Sequence, residues 1–105
     1  MNKDDKKEKS SALIDVDEEA QRILATYKEV FGDTTLCVRL EDIAEESDEL
    51  INFTSEENLK EELSDLISTC LALAAEKGWK VTDLIDANIN KVKERHTTGW
   101  YLTHT

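Results

Sequence analysis

The chain has 105 residues, enough for one compact domain and too few for two. Its formal net charge of -11, from 24 acidic and 13 basic residues, argues against binding DNA or RNA as polymers, because holding a phosphate backbone needs a basic surface. Pro is absent, Gly occurs three times and β-branched alternation is scarce, so the class is all-α. No apolar run is long enough to span a bilayer and no signal-peptide core opens the chain, which excludes a membrane partner and makes the expected compartment cytoplasmic.

Residues 1–12 have mixed charge and almost nothing apolar, and are expected to form a disordered tail before a helical domain over 13–105. Helix 1 begins after Asp15, which has capping-box spacing to Glu18, and ends at Gly32. Its apolar stripe is Ile23, Leu24, Tyr27, Val30 and Phe31, and nothing in it demands chemistry. Helix 2 covers Thr35 to Ile51, with Leu36, Leu40, Ile43, Leu50 and Ile51 as its buried face. Residues 37–40 alone would also pass for a short strand, but the helical period continues past them. Ser55 is the predicted cap of helix 3, which runs to about Lys77 and is closed by Gly78. Thr82 is the predicted cap of helix 4, whose last turn is basic. The final TTGWYLTHT has no helical period, and its Trp100, Tyr101 and Leu102 are expected to pack on the bundle or on another subunit. Cys37 and Cys70 read as packed thiols.

Helix 3 organises the chain. From Leu63 to Ala75 it carries one charge, Asp65, and its apolar set is broad enough for a helix inside a bundle. A carboxylate buried there must be paired or bound to metal. Glu62 lies one turn earlier on the same side, and two such anions are kept ionised together by a divalent cation. Asp42 and Glu45 on helix 2 have the same i, i+3 spacing. With helices 2 and 3 antiparallel across the short 52–55 connection, Asp42, Glu45, Glu62 and Asp65 converge as hard oxygen ligands for Mg²⁺ or Mn²⁺. Pairs at this spacing also arise on solvated faces of so acidic a chain. On helix 4, Asn88, Lys91 and Arg95 form a polar stripe suited to clamping phosphate; the plainer reading of the two basic residues is complementation of the helix dipole. The apolar excess of helix 3 and of Trp100–Leu102 points to an oligomer.

EDIAE at 41–45 followed by ELSD at 62–65 resembles the EExxE…ExxD signature of the MazG-like nucleoside triphosphate pyrophosphohydrolases. The run from Glu62 to Arg95 is similar to the family's third and fourth helices, and its ELSD and LALAA portions also resemble dCTP pyrophosphatase. Asp42 stands where Glu is usual, Ala44 replaces a small Gly, and Glu46 stands where the family often has Leu. The resemblance implies a four-helix bundle of the all-α pyrophosphatase type, built as a homodimer or homotetramer with active sites at subunit contacts. It implies Mg²⁺-dependent cleavage of a nucleoside triphosphate to monophosphate and pyrophosphate. Asp42, Glu45, Glu62 and Asp65 would hold the metal, Glu41 would orient or deprotonate water, and Asn88, Lys91 and Arg95 would hold the phosphates. The alternative is a non-catalytic acidic helical module for oligomerisation or interaction.

Overall fold

The computed structural model describes residues 14–104. The N-terminal stretch 1–12, expected to be disordered, lies outside them. The described residues form five helices and no strand: α1 (Val16–Phe31), α2 (Leu36–Ile51), α3 (Glu56–Glu76), α4 (Val81–Thr98) and a single turn, α5 (Trp100–Thr103).

Three of the starts are set by local capping. Asp15, Thr35 and Ser55 are extended, and each side chain accepts a backbone N–H of the turn that follows, from Asp17, Val38 and Asn58 respectively. The segment 37–40 is helical, as its period required.

Helix α4 departs from the expectation. Its cap position is Lys80, which makes no side-chain cap, and Thr82 lies inside the first turn. The free N–H of Val81 donates instead to Asp17 Oδ1 of α1 at 2.5 Å. Gln21, one turn on from Asp17, donates to the carbonyl of Ala75 at the end of α3. Two polar side chains of α1 therefore fasten the corner between α3 and α4. Gly78, at φ 72°, supplies the left-handed residue that turns the chain there.

Helix α3 is the centre of the packing. α1 and α2 both lie against it and do not pack backbone to backbone on each other. The core is small: Ala20 and Leu24 of α1, Ala72, Ala74 and Ala75 of α3, and Val81. Small residues bring the helices close at that end. The other face of α3 is open, with Leu63, Ile67 and Cys70 exposed. This corrects two expectations. Within one chain α3 is not enclosed, and Asp65 stands exposed rather than buried. Cys37 is exposed as well.

Beyond Val81, α4 leaves the core, and every residue from Thr82 to Glu94 is exposed. The single chain is thus a three-helix packing with a projecting fourth helix. The C-terminus is helical again after Gly99, at φ 77°. Its turn is held by rings: Trp100 stacks on His104 at 3.8 Å, and the Arg95 guanidinium lies 4.1 Å from the Trp100 ring centre.

Candidate metal centre

Arg39 fixes the phase of α2. It is 4 % exposed, its Nε donates to Glu76 Oε1 at 3.3 Å, its Nη2 donates to Thr34 Oγ1 at 3.1 Å, and it lies over the Tyr27 ring. A residue two turns further along a helix faces the same way, and seven residues after Arg39 comes Glu46. Arg39 near the start of α2 meets Glu76 at the end of α3, so these helices run antiparallel, and the end of α2 comes beside the start of α3.

There the acids gather. Glu46 and Glu49 of α2 and Glu62 of α3 each bring a carboxylate oxygen within 4.8 Å of the others. Glu46 Oε2 and Glu62 Oε2 are buried without any hydrogen-bond partner among the described residues. The other Glu62 oxygen accepts from Asn58 Nδ2 at 3.3 Å. Burial pushes the Glu46 carboxyl up to about 7, with the charges of Glu49, Asp65 and Glu62 acting in the same direction. Glu62 is also raised, first by burial and then by the neighbouring carboxylates of Glu49 and Asp65, against a smaller opposing effect of Asn58.

Buried anionic oxygens with no donor need a proton or a cation. The donors here are all carboxylate oxygens, with neither thiolate nor imidazole, which fits a hard divalent ion and not zinc. The residues present therefore fit a metal on the strength of the two unpartnered oxygens.

Of the four expected ligands, Glu62 alone belongs to this group. Asp65 is near enough for its charge to raise Glu46 and Glu62. Asp42 stays outside the group, on the Glu46 side of α2, where both line a cavity of about 530 Å³. Glu45 is exposed, because adjacent helical residues project about 100° apart and Glu46 takes the inward direction. Glu41, expected to act on water, is exposed one turn before Glu45. Glu46 and Glu49, which the structure brings to Glu62, were not among the expected ligands, and a signal for them was present. Read four residues later, EESDE at 45–49 carries Glu at all three acidic positions of EExxE, with no Asp in place of Glu.

The stripe on α4 is not at this centre within one chain. Asn88 and Lys91 are exposed, Arg95 is half-buried against Trp100, and α4 does not contact α2.

The described residues thus form an all-α fold with a carboxylate cluster between two antiparallel helices, a set of groups that could hold a metal ion. The chain belongs to the MazG nucleotide pyrophosphohydrolase domain family, whose model matches residues 33–100. That span holds every acid of the centre and all of α4 and leaves out α1. No curated protein and no solved structure gave a significant match. Among the described residues no helix is long and apolar enough to cross a membrane.

Proposed function

We propose that this protein is a Mg²⁺-dependent nucleoside triphosphate pyrophosphohydrolase, with Mn²⁺ as a substitute ion. The observation that carries the reading is the pair of unpartnered buried oxygens of Glu46 and Glu62 beside Glu49. Glu46, Glu49, Glu62 and Asp65 would hold the metal. A bound divalent cation would polarise the triphosphate and lower the pKa of the attacking water. Glu45 takes the first position of the motif in this register, the role first read onto Glu41, and orients that water from the rim. Water adds to phosphorus, one phosphoric anhydride bond breaks, and the products are nucleoside monophosphate and pyrophosphate.

Asn88, Lys91 and Arg95 serve as the phosphate clamp, supplied by the α4 of a second copy in a homodimer or homotetramer. The exposed apolar flank of the same helix supports this assignment. The test is pyrophosphate release from a panel of ribo- and deoxyribonucleoside triphosphates, with Mg²⁺ and with EDTA, for the wild type, Glu46→Gln and Glu49→Gln. Activity should require metal and fall at least about 100-fold in either variant, the loss of about 3 kcal/mol that a charged interaction supports. Full activity in EDTA, or undiminished activity in both variants, would overturn the reading.

A further inference from the structure

The cavity beside the metal centre has polar groups that the reaction does not use. Glu46 and Asp65 line the end shared with the metal centre; Phe31, Arg39 and Asp42 also line it. Asp42 makes no hydrogen bond or ion pair among the described residues and offers two acceptor oxygens. Arg39, three residues earlier on the same side of α2, is held by Glu76 and Thr34 through Nε and Nη2, which leaves Nη1 without a hydrogen-bond partner among the described residues. Phe31 is 72 % exposed at the cavity although it is a large apolar ring.

Resting on the pyrophosphohydrolase reading, we propose that this cavity is the base site and that it selects guanine. A carboxylate and a guanidinium side by side complement an edge with two adjacent donors next to an acceptor. Guanine presents that edge through N1–H, the 2-amino group and O6. Adenine and cytosine present one donor group beside a ring acceptor, and uracil places a single donor between two carbonyls that would face the Asp42 anion. Hypoxanthine keeps N1–H and O6 and lacks only the 2-amino group. Asp42 is therefore a specificity residue. Phe31 is a stacking platform, and stacking is indifferent to base identity because every base has a π-face.

The test is calorimetric binding of GMP, IMP, AMP, CMP and UMP to the full chain with Mg²⁺, which reads the site without any turnover. GMP should bind roughly 10- to 100-fold more tightly than IMP, since a lost pairing leaves Asp42 unsatisfied. Asp42→Asn should remove most of that preference, and Phe31→Ala should weaken all five nucleotides alike. Equal binding of GMP and IMP by the wild type, binding of none of them, or an unchanged ratio in Asp42→Asn would overturn the proposal. The two readings fail separately. A protein that releases pyrophosphate yet binds GMP and IMP equally loses only the base assignment. One that prefers GMP through Asp42 yet hydrolyses nothing loses only the activity.

Discussion

Glu46 titrates near neutrality in the folded chain, at about 7, well above an ordinary carboxyl. The sign of the consequence follows from linkage. Between the ordinary carboxylate range and about pH 7 the folded state keeps a proton that the unfolded state has released, so stability falls as pH rises through that window. Melting in EDTA should therefore show a higher Tm at pH 5 than at pH 8. Glu46→Gln should flatten the part of that slope belonging to this group and be at least as stable as the wild type at pH 8. Mg²⁺ or Mn²⁺ should raise the wild-type Tm more at pH 8 than at pH 5, because metal and proton compete for the same oxygens. A wild type and Glu46→Gln with identical Tm-against-pH curves in EDTA would show that this carboxyl is not under strain. The place of Glu62 in the acid cluster was legible at this scale and that of Glu46 was not. An i, i+3 pair of acids can be drawn several ways through EDIAEESDE, and only the buried Arg39 fixes which acids face α3.

Three helix starts were legible because their information is local. Asp15, Thr35 and Ser55 each serve the turn that follows them. The start of α4 was not legible, because its donor is satisfied from 64 residues away by Asp17. Replacing that side chain should act on α4 as losing a local cap would. Asp17→Ala is expected to cost about 0.5–2 kcal/mol and to speed amide hydrogen exchange at Val81. Asp17→Asn, which keeps an acceptor, should cost less. Unchanged exchange at Val81 in Asp17→Ala would mean that α4 is held by the burial of Val81 alone. The character of α3 was half legible. Its apolar breadth was correctly read as the centre of the packing, but the inference that Asp65 is buried assumed that every apolar face is covered within one chain. Leu63 and Ile67 are not. Arg95 shows the same limit on α4: its guanidinium rests on Trp100, an aromatic contact that the helical period does not reveal. Arg95→Ala should still raise KM for a triphosphate, by about 10-fold or more if a charge-assisted contact of about 1.5–3 kcal/mol is lost. Unchanged KM and kcat would reduce Arg95 to a partner of Trp100.

A single copy of this chain buries little. Among the described residues, Leu24 and Val81 are the only buried apolar side chains larger than alanine, while Leu63 and Ile67 on α3 and Leu84, Ile85, Ile89 and Val92 on α4 face solvent. Apolar faces of this extent on two helices are the mark of an association surface. In the proposed assembly, a second copy covering α4 sets its acids against Lys91 and Arg95, which do not approach α2 within their own chain. Light scattering at micromolar concentration should therefore report a dimer or tetramer, and Ile85→Glu with Ile89→Glu should shift it toward monomer with loss of hydrolysis. Subunit mixing then asks where the clamp acts. On the proposed reading Glu49→Gln lacks a metal-binding acid and Arg95→Ala a phosphate-binding cation, and each homodimer should be impaired. In a mixed dimer whose clamp acts across the interface, both lesions fall in one site and the other site is intact. Random exchange makes half the dimers mixed, so mixing the two variants should restore about one quarter of wild-type activity. If the clamp acts within its own chain, each site keeps one lesion and mixing restores nothing. Restoration absent from subunits shown by light scattering to have exchanged would place the phosphate contacts of α4 in cis and overturn the shared site.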